Sequence, residues 1–218
     1  MRTRWLLCMA GVGLLLWLGS TGVLNAAEQA TTGNAGGSGR KATQENLQNA
    51  YNGEANAKAR YEAFAVRADE EGYKAVAALF RATAKSEGIH ADKHAAALTK
   101  IGGEPKLTRL TPEVKSTKEN LEAALKGETE EKDTMYPAFI GQAQATDLPG
   151  VVRSFKGAMA SEESHAKLYK QALDNLESWK AGKEFVVCTV CGYTAAQDPA
   201  LRKCPVCDAP RGKFETVK

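Results

Sequence analysis

From Thr43 to about Leu176, apolar residues recur every three or four positions, the period of a helix with one buried face. The first stripe runs Leu47, Ala50, Tyr51, Glu54, Ala57, Tyr61, Phe64, Ala65 and Ala68, and "DEEGY" with Gly72 ends it. The second runs Val76, Leu79, Phe80, Thr83, Glu87, His90, His94, Ala97, Leu98 and Ile101, stopped by Gly102, Gly103 and Pro105. Thr111-Pro112 predicts the start of a third helix, with proline at its first position. Its stripe is Leu121, Ala124, Leu125, Glu128, Glu131, Met135, Phe139 and Ile140. Pro149 opens a fourth, with Val152, Phe155, Met159, Glu162, Tyr169, Leu173 and Leu176. Four amphipathic helices of this length predict an all-α four-helix bundle over residues 42–181. Beyond Lys183 the helical period vanishes, and residues 183–218 are too few to hold together by core burial alone.

A glutamate interrupts the core stripe of every helix, and a buried unpaired carboxylate is costly. Glu87–His90 and Glu162–His165 are Glu-x-x-His pairs, one helical turn apart. The chain also repeats itself. "NLQNAYNGE" from Asn46 matches "NLEAALKGE" from Asn120 at an offset of 74. Tyr61 matches Tyr136, Phe64 matches Phe139, Phe80 matches Phe155, Glu87 matches Glu162 and His90 matches His165, all at 75. Two copies of one helical hairpin, related by a pseudo-two-fold axis, would bring Glu54, Glu87, His90, Glu128, Glu131, Glu162 and His165 together. One Glu from each of two helices and Glu-x-x-His from each of the others is the donor set of di-iron and di-manganese bundles. The alternative is a set of surface ion pairs with Lys58, Lys85 and Lys132. Tyr61 and Tyr136, equivalent in the repeat, are placed to hydrogen-bond the glutamates. His94 pairs with Tyr169 in the repeat and is expected to pack rather than bind metal.

The change of offset carries its own expectation. Glu54 and Tyr61 are seven apart, whereas Glu128 and Tyr136 are eight apart. In a regular helix of about 100° per residue, Tyr136 would swing about 80° off the site. A π-bulge would absorb the extra residue, and Pro137 already removes one backbone donor there. The alternative is a plain α-helix in which Met135 faces the centre.

The last segment holds "CTVCGY" and "CPVCDAP". Cys188, Cys191, Cys204 and Cys207, in paired C-x-x-C loops, suit a tetrahedral site for iron or zinc. Two disulfides are the alternative in an exported protein, but such short loops would constrain little of the unfolded chain. Haem attachment would need His after a C-x-x-C pair, where Gly192 and Asp208 stand.

Composition changes the picture only at the N-terminus. The formal charge is +3, two of the charges are Arg2 and Arg4, and no other polybasic run exists. Nucleic acid and anionic surfaces are therefore poor partners. "MRTR", the apolar run Trp5 to Leu18 and the small residues of "VLNAAEQA" predict a signal peptide over residues 1–27. The alternative is an uncleaved membrane anchor, because the apolar run to Leu24 is about 20 residues, long enough to span a bilayer. Residues 28–41, "EQATTGNAGGSGRK", predict a flexible linker. Export, to the periplasm, is expected; without a twin-arginine motif the chain would cross unfolded and take up metal afterwards.

In the order "NGEANAKARY", "SEGIH", "KGETEEKDTMYPAF", "SEESH" and "CTVCGY…CPVCDAP…GKFE", the chain from Ala42 onward resembles the rubrerythrins. The resemblance implies a ferritin-like bundle with two non-haem irons, then a rubredoxin-like iron domain. It implies a peroxidase of oxidative stress defence: hydrogen peroxide is reduced to water by electrons passing through the rubredoxin-like iron from an unidentified donor. Glu54, Glu87, Glu128 and Glu162 would be the carboxylate core and His165 the fixed imidazole. His90 and Glu131 would alternate at one iron, carboxylate when oxidised and imidazole when reduced. Tyr61 and Tyr136 would hydrogen-bond the ligands. A homodimer is also implied, with the rubredoxin-like iron of one subunit near the di-iron site of the other. Export departs from the resemblance, since many rubrerythrins are cytoplasmic. Competing functions are a ferroxidase or iron store, against which a dedicated redox tail argues, and a structural module holding zinc in both sites.

Overall fold

The computed structural model describes residues 26–218, with side chains from Gly37 onward. The expected signal segment lies outside the described residues except for Ala26 and Ala27, which open the first helix. The helices are α1 (Ala26–Glu70), α2 (Lys74–Lys100), α3 (Thr117–Glu130), α4 (Tyr136–Ala145) and α5 (Pro149–Asp174). A π-helical segment, Glu131–Met135, joins α3 to α4, so the two form one bundle helix. Three short antiparallel strands follow, β1 (Phe185–Cys188), β2 (Thr194–Ala196) and β3 (Phe214–Val217), with β1 central. Among the described residues no helix is long and apolar enough to cross a membrane.

Residues 28–41, expected as a linker, are helical and form the start of α1. Contacts that support this begin at Gly39, whose carbonyl accepts from Thr43 Oγ1 at 3.0 Å, while Thr43 Oγ1 also meets Thr146 Oγ1 at 3.2 Å. Thr43 is fully buried there.

The hairpin ends follow the sequence. Gly72 takes φ 83°, and Tyr73 N–H reaches back to Ala68 O at 2.8 Å, which closes α1. The third helix differs from expectation. It begins not at Thr111-Pro112 but at Thr117, behind Ser116, whose side chain and Glu119 form a reciprocal capping box. Upstream, three amides on one face of α1 hold the chain extended. Gln48 pairs with both backbone groups of Lys106 at 2.7 and 3.0 Å. Asn52 and Asn56 hold Thr108, and Asn56 accepts from Leu110 N–H at 2.8 Å. Nearer the cap, Asn120 accepts from Lys115 N–H at 2.9 Å and donates to Lys115 O at 3.0 Å, backbone groups that a helix running from Pro112 would need.

Two aromatic cores flank a polar centre. Tyr61, Phe64, Phe80 and Tyr169 pack at one end, with Phe64 and Phe80 ring centroids 5.4 Å apart. Tyr136, Phe139 and Phe155 pack at the other, with Phe139 and Phe155 5.5 Å apart. These are the repeat-related sets. The ribbon joins the first core through Phe185 and Val187, and Trp179 stacks on Phe185 at 6.0 Å.

Candidate metal centres

Between the two cores the bundle gathers its glutamates. Glu54, Glu87, Glu128, Glu162, His90 and His165 are all at most 1% exposed. His90 Nδ1 lies 2.9 Å from Glu87 Oε2, 3.1 Å from Glu162 Oε1 and 4.0 Å from Glu54 Oε2. His165 Nδ1 lies 2.9 Å from Glu162 Oε2, 3.2 Å from Glu87 Oε1 and 3.3 Å from Glu128 Oε2. Glu87 and Glu162 thus each offer one oxygen to either side, as bridging carboxylates do. Two groups of four donors result: Glu54, Glu87, His90, Glu162, and Glu87, Glu128, Glu162, His165.

The tyrosines cross over. Tyr61 on α1 donates to Glu128 Oε1 at 2.7 Å, and Tyr136 on α4 donates to Glu54 Oε1. Tyr136 reaches the site because its N–H bonds Glu131 O across the π-helical turn. The extra residue of the third helix is therefore absorbed as the repeat required, and Tyr136 is fully buried. His94 is no part of either donor group. Its Nε2 meets Tyr136 Oη at 3.0 Å and its Nδ1 meets Ser154 Oγ at 3.0 Å. Glu131 is not in the two donor groups either. It stands beside them: burial, then the charges of Glu128 and Glu162, pushes its carboxyl well above the usual range, while Arg60 acts to lower it.

The electrostatics call for cations. Burial, then Glu131 and Glu162, pushes Glu54 far up, and burial with Glu87 takes Glu128 up to about 8. Glu87 goes the other way: burial acts upward, but His165 and His90 hold it down to about 2. Both imidazoles are raised although burial opposes it, His90 by Glu162 and Glu87, His165 by Glu87 and Glu128. Protons on Nδ1 thus play the cation's part in the metal-free chain. Glu54 Oε2, Glu87 Oε1 and both oxygens of Glu162 are buried and accept no well-aligned hydrogen bond. Orphaned carboxylate oxygens facing inward Nδ1 atoms are what two bound metal ions would satisfy.

The outward nitrogens settle the tautomers. His90 Nε2 is 3.0 Å from the Cys191 carbonyl, which only accepts, so Nε2 carries the hydrogen. His165 Nε2 is 3.2 Å from Thr194 Oγ1, whose own hydrogen goes to Gly192 O at 3.0 Å. With Nε2 keeping its hydrogen on each ring, release of the Nδ1 proton would leave a lone pair facing the carboxylates for metal.

In the ribbon, the two C-x-x-C loops repeat one turn. Cys188 O accepts from Gly192 N–H at 2.8 Å, and Cys204 O accepts from Asp208 N–H at 3.0 Å. All four cysteines are free thiols, with Cys188 and Cys207 sulfurs 3.7 Å apart and Cys191 and Cys204 3.4 Å apart. A tetrahedron with metal–sulfur bonds of about 2.3 Å has edges near ~3.8 Å, so the pairs suit one ion rather than disulfides.

Serines dock the ribbon on the bundle. Ser86 Oγ donates to Gly192 O at 2.7 Å and Ser161 Oγ to Cys191 O at 3.2 Å. Sequence reasoning missed Ser86, Ser161, Thr194 and Arg60. Ser86 and Ser161 had a signal: both precede the Glu of a repeated S-E-x-x-H, at the offset of 75. The resemblance placed another subunit's ribbon near this centre; in the structure the same chain's ribbon sits there.

A carboxylate-bridged dinuclear centre inside a four-helix bundle, with a four-cysteine ribbon against it, defines a class of two-centre iron proteins. The rubrerythrin family profile matches residues 45–173, and the rubrerythrin rubredoxin-like domain matches residues 187–215. Nigerythrin of Nitratidesulfovibrio vulgaris is 38% identical over 173 residues, 79% of this chain and 85% of its own. Rubrerythrin-1 of Clostridium acetobutylicum is 35% identical, over 80% of this chain and 94% of its own. The fully reduced, all-ferrous structure of nigerythrin superposes with a TM-score of 0.75 at 36% identity, covering 80% of this chain and 86% of that one. The chain belongs to the rubrerythrin family. It carries a ferritin-like di-iron site with carboxylate and His ligands and a rubredoxin-like iron site of four cysteines.

Proposed function

We propose that the protein is an exported peroxidase that reduces hydrogen peroxide to water, with electrons relayed from the ribbon iron to the di-iron centre. The observation that carries this reading is the bond from His90 Nε2 to Cys191 O at 3.0 Å. One residue holds a sulfur of the relay and accepts from an imidazole of the centre, so the two sites share a bonded path. The bound irons supply electrons, and reducing one hydrogen peroxide takes two electrons and two protons to give two waters. Glu54, Glu87, His90, Glu128, Glu162 and His165 hold the pair, and Glu131 is the spare carboxylate that can exchange with His90. Protons have a route of their own. Glu54, Tyr136, His94 and Ser154 form a continuous chain, and Ser154 lines an open cleft of about 450 Å³. Burial and the charge of His90 take His94 down to about 3, so it is a neutral imidazole that accepts on one nitrogen and donates on the other. Export follows from the pattern of residues 1–27.

The test is stopped-flow. Anaerobically reduced protein mixed with hydrogen peroxide should show both centres reoxidising, the ribbon iron by return of its ferric–thiolate absorption. Cys191→Ser should lose that absorption and steady turnover, yet retain a single reaction at the di-iron centre. A ribbon iron that stays reduced through repeated peroxide additions would defeat the relay. Faster reaction with Fe(II) and oxygen than with peroxide would favour ferroxidase work instead.

A further inference from the structure

A cleft of about 800 Å³ opens where α5 meets the ribbon. Lys93 of α2 and Arg153, Lys156 and Lys167 of α5 line it, and Glu163 is the one acid among its lining residues. All four cations are exposed, and the ion pairs of the described residues involve other side chains. The ribbon contributes Cys191, Tyr193 and Cys207. Cys207 is the one sulfur of the four that is not buried. Beside it Val206 forms part of the wall, and Val190 on the other loop is 38% exposed. An apolar tip at the accessible edge of a redox site, ringed by unpaired positive charge, is a docking surface with a sign. Lys93 is sixty positions from Arg153, so no run along the chain announces it.

We infer that this cleft receives an acidic one-electron carrier protein, which reduces the ribbon iron through Cys207. The inference rests on the relay reading above. The step is a bare electron transfer: reduced carrier and ferric ribbon iron give oxidised carrier and ferrous ribbon iron, with no bond or proton moved. A hydride donor does not fit, because a single iron held by four thiolates takes one electron at a time and has no acceptor for hydride. Charge complementarity of this kind steers encounter and raises association rates by about 10- to 1,000-fold at low salt. Cys191 borders the same cleft but is buried, and its carbonyl is already committed to His90. Electrons would therefore arrive at Cys207 and leave by Cys191.

The probe is a photoreduced plant-type ferredoxin, a small acidic one-electron carrier. Bleaching of the ferric–thiolate absorption is followed against ionic strength, with methyl viologen radical as a cationic small-molecule control. Ferredoxin reduction should slow at least about tenfold between low and high salt, and by a similar factor in the K93E/R153E/K156E/K167E variant, as expected for lost steering. The variant should keep its ferric–thiolate spectrum, and its reduction by the cationic viologen should not slow. Carbodiimide should cross-link ferredoxin to Lys93, Lys156 or Lys167, a readout independent of turnover. A ferredoxin rate indifferent to salt and to charge reversal would overturn the inference. So would the same cations driving sedimentation with anionic phosphatidylglycerol vesicles while leaving ferredoxin reduction unchanged. A ribbon iron that viologen itself cannot reduce would remove the relay, and the docking with it.

Discussion

Each imidazole at the di-iron centre has two nitrogens with opposite duties, and the ribbon sets which does which. Thr194 accepts from His165 Nε2 because its own hydrogen is committed to Gly192 O. Thr194→Val keeps the shape and removes the acceptor, so His165 loses its fixed tautomer. Metal affinity should drop by about 10- to 100-fold, as for other groups that orient a metal's ligands. Chelator competition measures it; unchanged affinity with an intact ferric–thiolate spectrum would mean the threonine only packs. The same residues give the metal-free protein an unusual pH response. Glu128 at about 8, and the raised Glu54, Glu131, His90 and His165, bind more protons folded than unfolded. Stability then falls as pH rises through their folded values. Glu87 and His94 act oppositely, but only below their unfolded values of 4.5 and 6.5. Between roughly pH 6.5 and 8 the stripped protein should therefore lose stability, while the metal-loaded protein, whose ligands must be deprotonated, should not. Denaturant unfolding with and without chelator checks the sign. Gly192 completes this layer. It sits at φ 89°, and a Cβ there would lie 2.3 Å from His90 Nε2 and 2.6 Å from Ser86 Oγ. Gly192→Ala should push the ribbon off the bundle without emptying its metal site. The readout is slowed reoxidation of the ribbon iron after peroxide, by about tenfold or more, with its absorption intact.

At the scale of elements, the third bundle helix shows what a sequence can and cannot disclose. The π-helical turn was legible because the chain carries its own reference copy: seven residues from Glu54 to Tyr61 against eight from Glu128 to Tyr136. So were the glutamates and Glu-x-x-His pairs, whose placement on core stripes is paradoxical without a cation. The start of the same helix was not legible from Pro112. A proline at a first position permits a helix but does not require one. What decides is side-chain contact: Asn52 and Asn56, far away on α1, anchor the chain as far as Leu110, and Asn120 holds the Lys115 N–H and carbonyl that a helix from Pro112 would use. The local signal that wins is the Ser116–Glu119 capping box. The expected linker fails for a similar reason. Glycines at 36, 37 and 39 argue for flexibility, but Gly39 meets Thr43 and Gln142 in the folded chain. The π-helical turn also yields a test. Deleting exposed Asp133 removes the extra residue and should restore a regular helix with Tyr136 still on Glu54, because a seven-residue step shifts it only about 20°. Glu131 would lose its special setting. The expected result is a stably folded protein that still binds iron yet reduces peroxide several-fold more slowly. Wild-type rates in this deletion would make the turn a packing detail.

At the scale of the whole molecule, the ribbon sits against the bundle to which it is tethered. Residues 175–184 carry the chain from α5 to β1, with Trp179 buried against Phe185, and the ribbon is then held by Ser86, Ser161, His90 and His165 of the same chain. An intramolecular pairing needs no second subunit to complete the electron path, whether or not the protein forms a homodimer. The two arrangements predict opposite outcomes in a mixing experiment. Cys207→Ser leaves a di-iron centre without a working relay, and Glu162→Ala leaves a relay without a working centre. Each chain alone should be inactive in steady-state peroxide reduction. Co-expressed, they should stay inactive if each ribbon serves its own bundle. If ribbons serve the neighbouring subunit of a dimer, random pairing would restore about a quarter of wild-type activity, since half the dimers would hold one productive pair. Peroxide turnover of the purified mixture, beside its iron content, distinguishes the two. Recovery near that level would show that the docking seen within one chain is exchanged between two in the assembled protein.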